Sequence, residues 1–428
     1  MPTSFAASTL LAGFMAVLLL LSRAGAEPPS LPENSAPVIP SGAFKITDYG
    51  AIGDGRTMAT QAFRDAIAAC ARAGGGTVLV SPGTYLATPF RLESHLALVL
   101  EKGAVIQASD KVTDFGLPAI LPTTQAELDA LRGAVRPLIE ADDLTDVEIS
   151  GEGRIDGAGS VWWKGSTERS TRVTKLPVSP RPYLVAINGC RRVRLRGIAL
   201  SNSPKVHLIT RSCENVTIDG LTITAPTDAP NTAAIIATST RHLVIRRCVI
   251  DVDDDHVALN ASHAWSTDDV TIADCRFGRG HGVSIGSDIT SGVRNVVVKN
   301  CTFEGSRIGL RIKAPPEGAG LVENITYQDI SMRHVGLPFT ISLQYAERPV
   351  VNPLSPAAAL PVVRRVLFAR ITVEGAKRAG EFIGLPASPL REITLQDVRI
   401  SSPVEFKIQD ADVTQTRVTV QPAPASRE

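Results

Sequence analysis

The sequence is poor in aromatic residues: 3 Trp, 5 Tyr and 12 Phe make up 5% of its 428 residues. An interior filled by large rings is therefore excluded, and aliphatic side chains must fill it. With 34 Gly, this favours many short strands and tight turns over large helices. Net charge is nearly absent as well. Lys and Arg total 44 against 43 Asp and Glu, a formal balance of +1. No bulk electrostatic attraction draws the chain to nucleic acid or to an acidic membrane. Long apolar runs are missing after residue 21, so no later segment reads as a membrane span. The one early run, Leu10 to Leu21, is followed by the small residues Ala24-Gly25-Ala26. This is the pattern of a cleaved export signal over residues 1–26, although the leading segment lacks Lys and Arg. The expected location is secreted or periplasmic, with no membrane attachment after cleavage. Residues 27–42 are rich in Pro and Ser and read as a linker that packs little.

Helical periodicity is scarce too. Thr60 to Arg72 is the one clear amphipathic helix, with Phe63, Ile67 and Cys70 on one face and Gly74-Gly75-Gly76 after it. What is present instead is an eleven-residue phrase. It begins at Cys190, Cys213, Thr240, Thr267, Val293, Val322, Val363 and Leu390, at intervals of 23, 27, 27, 26, 29, 41 and 27 residues. Repeats of this length mean a solenoid, propeller or array. Each phrase alternates apolar and polar residues, turns at a polar pair and alternates again, which gives two short strands with a bend between them. No helix fits within a repeat, and a propeller blade needs about 40 residues or more. The reading is an all-β, single-domain parallel β-helix over residues 43–412, with a final strand and tail over 413–428. The helix at Thr60 to Arg72 is placed as an N-terminal cap over the open strand edges.

The repeat also interprets five of the six Cys. Cys248, Cys275 and Cys301 share one phase with Ile198, Leu221, Ile330, Ile371 and Val398; Cys190 and Cys213 share another with Val293, Val322, Val363 and Leu390. A position that takes Cys, Ile, Leu and Val alike is a core position, so the thiols read as buried hydrophobes rather than disulfides or metal ligands.

Motifs one repeat apart stack on neighbouring coils of a solenoid and share its outer face. Asp254-Asp255 lies on one coil, Gly280-His281-Gly282 on the next, and Arg311-Ile312-Lys313 on the third. Strand alternation sends Ile312 inward and turns Arg311 and Lys313 outward together, a double cation suited to a carboxylated sugar. The run Asp251-Val252-Asp253-Asp254-Asp255 crowds four acids, and such crowding raises the pKa of one member and keeps it protonated. Both Asp254 and Asp255 reach one groove only if the chain bends there. An acidic solvated turn or a Ca²⁺ loop is the alternative for this run, and a solvated surface pair for Arg311 and Lys313. Trp162 and Trp163 read as structural.

Over residues 44–412 the chain resembles glycoside hydrolase family 28, the polygalacturonases. FKITDYGAIGDG, GGGTVLVSPGTY, GEGRIDGAGSVWW, RPYLVAINGC and SNSPKVHL resemble its early blocks, and the Asp-Asp, Gly-His-Gly and Arg-Ile-Lys motifs its strongest signatures. The resemblance implies a right-handed β-helix that cleaves galacturonide polymers by an inverting acid/base mechanism. It carries over Asp254 as acid, Asp255 as base and His281 as a further catalytic group, with Arg311, Lys313, Tyr345 and Asn231 binding the sugar. The partner would be an acidic plant-type polysaccharide of the cell wall, such as pectin, or its oligosaccharides. The protein would be a monomer and need no metal or other cofactor. One signature departs. Where the family has Asn-Thr-Asp, this chain has Asn231-Thr232-Ala233, so one of two water-orienting carboxylates is missing. Asp228 and Asp253 are the nearby acids that could replace it. Three outcomes follow: cleavage with Asp255 as the one base, a different base acting on a different uronide such as rhamnogalacturonan, or polysaccharide binding without cleavage. A Ca²⁺-dependent lyase, which shares the β-helix, matches the motifs less well.

Overall fold

The computed structural model describes residues 34–120, 122, 124–163, 180–262, 265–316, 318–345 and 359–422. The export signal and most of the Pro-rich start lie outside them. The described strands form two parallel sheets, of 22 and 11 strands. Successive turns of chain add one strand at a time: Leu208–Arg211, Ile235–Thr238, Val257–Asn260, Val283–Ile285 and Ile308–Lys313 pair in that order in the smaller sheet. This is the parallel β-helix that the repeat predicts.

The bends have a common backbone cause. The third residue of every phrase adopts a left-handed conformation: Arg192, Asn215, His242, Asp269, Asn295, Asn324, Arg365 and Glu392, with φ between 51° and 57°. So does the eighth, as in Arg247, Asp274, Asn300, Asp329, Arg370 and Asp397, with Gly197 and Gly220 in the earliest coils. Asn and Asp tolerate this conformation best, which is why polar residues mark the corners. Corner side chains also stack between coils. Asn324 Nδ2 donates to Asn295 Oδ1 at 3.0 Å, and Asn295 Nδ2 to Asp268 Oδ1 at 2.8 Å.

The interior is a continuous apolar column, aliphatic in most coils, with Phe277, Phe303, Tyr327, Phe339, Phe368 and Phe382 buried in the later ones. Ile198, Leu221, Ile330, Ile371 and Val398 are buried with Cys248, Cys275 and Cys301, and Cys190 and Cys213 with Val293, Val322, Val363 and Leu390. All six thiols are free and buried. Burial pushes the Cys190 thiol up to about 11 and the Cys213 thiol up to about 12. Native protein is therefore expected to resist a disulfide-exchange reagent, and denatured protein to titrate six thiols. Rapid reaction of the native state would contradict the core assignment.

The predicted helix runs Thr60–Arg72 and buries Phe63, Ala66, Ile67 and Cys70. Phe63 stacks on Phe90 at 4.9 Å and meets Tyr85 edge-on at 6.4 Å, so it packs against the first coils. It is not the lone helix: Gln125–Ala130 and Ser160–Trp163 are short additional ones. Trp162 and Trp163 are buried, Trp162 edge-on to Phe115, as expected for structural residues. The described part of the Pro-rich segment is bound more closely than composition suggests. Asn34 Nδ2 donates to the carbonyls of Val216 and His242 at 2.9 and 2.6 Å, and Val38 N to Asp146 Oδ1 at 2.9 Å. The last strand is Ala411–Gln421, paired along Leu390–Ser401.

Candidate active site

Asp254 and Asp255 lie in the bend between strands Val249–Asp251 and Val257–Asn260. That bend is what brings both carboxylates to one place. Together with His281 they form a group whose facing atoms lie within 4.8 Å of one another. The two acids have different surroundings. Asp254 is half-buried and its Oδ1 accepts from His281 Nδ1 at 2.8 Å. Asp255 is buried. Its Oδ1 accepts from Ser284 Oγ at 2.7 Å and from Arg311 Nη2 at 3.1 Å, and its Oδ2 from Lys313 Nζ at 3.2 Å. Arg311 Nε also donates to Ser284 Oγ at 3.2 Å.

This corrects the expectation for Arg311 and Lys313. Ile312 does point inward and its neighbours outward, but the two cations are 8% and 6% exposed and both meet Asp255. They do not stand as an open double cation in the groove. Tyr345 covers them, its ring centre 5.8 Å from the Arg311 guanidinium and 5.3 Å from the Lys313 ammonium. Asn231 is exposed, with a left-handed φ of 49°, two residues before Ala233.

The expectation that crowding raises one carboxyl pKa is also corrected. Burial pushes Asp254 up, but the His281 hydrogen bond and the charge of Lys313 outweigh it and hold the carboxyl down at about 2. Cations, not neighbouring acids, dominate here.

His281 is held by steric demands on both sides. Gly280 has φ 143°, and a side chain there would come within 2.7 Å of the Asp254 carbonyl. Gly282 has φ 73°, and its Cβ would lie 1.8 Å from the Gly309 carbonyl. The Gly-His-Gly spacing is thus a packing requirement between coils. The backbone closes the same contact, with His281 N donating to Asp254 O at 2.9 Å.

Sequence reasoning missed two participants. Ser284 stands in register with Arg311 on the next coil, and aligning the strands rather than the motifs would have found it. Arg307 sits at a coil corner and carries no motif. Its Nε donates to His281 Nε2 at 3.0 Å, and its Nη2 donates to Asp253 O and, at 3.2 Å, to Asp253 Oδ1. An acceptor role for Nε2 leaves the ring proton on Nδ1, facing Asp254. Arg307→Gln is expected to lower kcat/KM about tenfold, the worth of one charge-assisted hydrogen bond of about 1.5 kcal/mol. It should also change the shape of the pH–rate profile. An unchanged profile would show that Arg307 does not set the tautomer.

Ala233 is placed beside Asp255. Ala234 N donates to Asp255 O at 2.9 Å, so the missing carboxylate would have stood one coil from the Asp pair. Ala233 instead packs with Ala186, Val206 and Ile209 in a separate apolar cluster on the outer face, flanked by Tyr183 and Ile236. The two nearby acids differ in their surroundings. Asp228 is exposed on the preceding loop, and Asp253 is buried against Arg307. His256 is buried, stacked 5.1 Å from Phe277, and burial lowers it to about 4; it belongs to the interior. The Asp254, Asp255 and His281 group is the one described cluster with metal-ligand spacing. Its facing atoms already meet Lys313, Arg311 and each other, and two cations at Asp255 oppose a third. We assign it no metal.

A parallel β-helix that gathers such a carboxylate pair on its outer face defines the chain as a solenoid glycosidase. The model of glycosyl hydrolases family 28 matches residues 115–418, and that of rhamnogalacturonase A/epimerase, pectate lyase-like, matches residues 43–114. An endo-polygalacturonase of Pectobacterium carotovorum subsp. carotovorum is 29% identical over 369 residues, 83% of this chain and 88% of its own. A probable polygalacturonase of Arabidopsis thaliana is 30% identical over 371 residues, covering 85% of this chain and 74% of its own. The solved exopolygalacturonase of Thermotoga maritima aligns at a TM-score of 0.76 and 25% identity, covering 91% of this chain and 94% of that one. The chain belongs to glycoside hydrolase family 28.

Proposed function

We propose that the protein hydrolyses α-1,4-galacturonide links in pectin-like polymers outside the cytoplasm, by single displacement with inversion. Asp254 is the acid at the leaving oxygen, and Asp255 the base that aligns water. The names of the relatives, polygalacturonases in each case, support the substrate class, and the pattern of residues 1–26 supports export. The observation that carries the mechanism is the unequal engagement of the two acids. Asp254 is half-buried, and His281 engages its Oδ1. Asp255 takes two donors on Oδ1 and one on Oδ2, which leaves acceptor capacity on Oδ2 for a water proton. A carboxylate so fully paired is a poor nucleophile. The facing atoms lie within 4.8 Å, closer than the separation of about 6.5–9.5 Å usual for inverting glycosidases. The pairing of Asp255, rather than the spacing, therefore argues for inversion.

The test is incubation of the mature protein with polygalacturonate, following reducing ends, absorbance of unsaturated ends, and the first-formed anomer by proton NMR. Reducing ends of inverted configuration support the reading. Retained configuration would overturn the role of Asp255, and unsaturated ends requiring Ca²⁺ would overturn hydrolysis itself. A second reading is favoured by the apolar cluster around Ala233. Such a surface suits the methyl group of a 6-deoxy sugar better than a uronate carboxylate. Faster turnover of rhamnogalacturonan than of polygalacturonate would put this reading first, and binding of both without cleavage would leave a non-catalytic relative.

A further inference from the structure

A second cationic locus lies on the same outer face. Main-chain bonds from Leu184 N to Val206 O, His207 N to Ala233 O and Ala234 N to Asp255 O, each 2.9–3.0 Å, align Tyr183, Val206, Ala233 and Asp255 on consecutive coils. Three strand spacings of about 4.8 Å separate the first from the last, about 14 Å in all. At the far end, the Lys205 ammonium lies 5.6 Å and the Arg211 guanidinium 5.0 Å from the Tyr183 ring centre. All three side chains are half-buried.

Among the described residues these charges are gathered without a paired carboxylate. Arg211 donates to the Asn188 side chain at 3.2 Å, a neutral acceptor. Neither Lys205 nor Arg211 forms an ion pair with a carboxylate among the described residues. Arg181, buried beneath, donates to the carbonyls of Pro204 and Pro230 at 2.9 and 2.7 Å. Burial lowers the Lys205 pKa; Tyr183 opposes this, while Arg181, Arg132 and Arg211 lower it further. In a chain of formal charge +1, this local excess is not a spillover of overall basicity. Like charges held together at a half-buried surface repel, and an anion relieves that repulsion.

We infer that Lys205 and Arg211, set around Tyr183, form a carboxylate-binding subsite for a uronate several sugars along the chain from the bond held at Asp254 and Asp255. The inference rests on the uronide-chain reading of the groove. It assigns carboxylate recognition to residues other than Arg311 and Lys313, which meet Asp255. The apolar cluster of Val206, Ala233 and Ile209 lies between the two loci, so the groove offers a charged subsite, an apolar floor and the reacting centre in line. Arg supplies bidentate geometry for the carboxylate and Lys a point charge.

The test is calorimetric binding of a long oligogalacturonate and of its carboxyl-reduced counterpart, in an Asp254→Asn background that stops turnover. Lys205→Gln with Arg211→Gln is expected to weaken binding of the acidic oligomer about tenfold and to make its salt dependence shallower. The carboxyl-reduced oligomer should bind both proteins alike, and Lys205→Arg should keep most of the affinity. Equal weakening for both oligomers, or none, would overturn the subsite. The outcomes separate this inference from the proposed reaction. Binding lost with the double substitution in a protein that cleaves no galacturonan keeps the subsite and removes the hydrolase reading. Cleavage with unaffected binding does the reverse, and an acidic oligomer that does not bind at all removes both.

Discussion

Asp254→Asn is expected to lower kcat on polygalacturonate by about 10²–10⁴-fold, the usual contribution of a positioned acid. Stability at neutral pH should fall by less than for loss of the side chain, because Asn Oδ1 can still accept from His281 Nδ1 although the charge is gone. The pH behaviour is more diagnostic. In the free protein the carboxyl is held near 2, so it is ionised at ordinary pH and cannot donate a proton. A uronide in the groove adds negative charge and excludes water, and both raise the carboxyl pKa. The acid is thus loaded in the complex. An acid-dependent rate falls as pH rises through its pKa, and kcat reports the complex while kcat/KM reports the free enzyme. The fall in kcat is therefore expected at higher pH than the fall in kcat/KM. Coincident profiles, or a variant keeping most of the rate, would show that Asp254 is not the acid. The same shift has a stability consequence. A carboxyl depressed from 3.8 to about 2 on folding contributes stability that is complete above 3.8 and lost as pH falls through about 2. Denaturant midpoints of the Asn variant should therefore decline less than those of the wild type across that window.

Asp255→Ala is expected to remove both activity and stability. Asp255, Arg311 and Lys313 have side chains 9%, 10% and 8% exposed. Removing the shared carboxylate leaves two buried cations facing each other and frees Ser284. Breaking a buried ion pair costs about 3–5 kcal/mol, and here two pairs share one anion. The denaturant midpoint should fall further than that of Asp254→Asn, with no detectable reducing ends. Asp255→Asn keeps the acceptor oxygen but not the charge, and should lie between. A fully stable Ala variant would mean that the cations reach solvent or substrate instead. The contrast between adjacent residues is the strongest expectation here: one acid is available to substrate, while the other is built into the frame.

The pairing of Asp255 with Arg311 and Lys313 was half legible. Alternation around Ile312 gave their direction, and the phrase spacing gave their coils. Neither says how far two long side chains reach back across the coils before they meet substrate. Ser284 was invisible for a related reason: a single Ser between motifs has no pattern of its own. Arg307 was less visible still, since it acts from a corner, where side-chain direction depends on the left-handed turns rather than on a period of two. The Cys positions within the repeat were fully legible, because a column shared with Ile, Leu and Val is defined by the repeat alone.

By itself the sequence determined that coils of about 27 residues stack into a parallel β-helix, that five of the six thiols line its interior, and that Asp254, Asp255 and His281 face one groove. These follow from periodicity, which the backbone hydrogen-bond ladder obeys locally. Only the tertiary structure decided which charges meet. It placed Arg311 and Lys313 on Asp255, set Arg307 behind His281, lodged Ala233 in an apolar floor, and gathered Lys205 and Arg211 around Tyr183 with no ion-paired carboxylate among the described residues. Charge pairing depends on side-chain reach between coils and on what each neighbour has already engaged, and no repeat length encodes that.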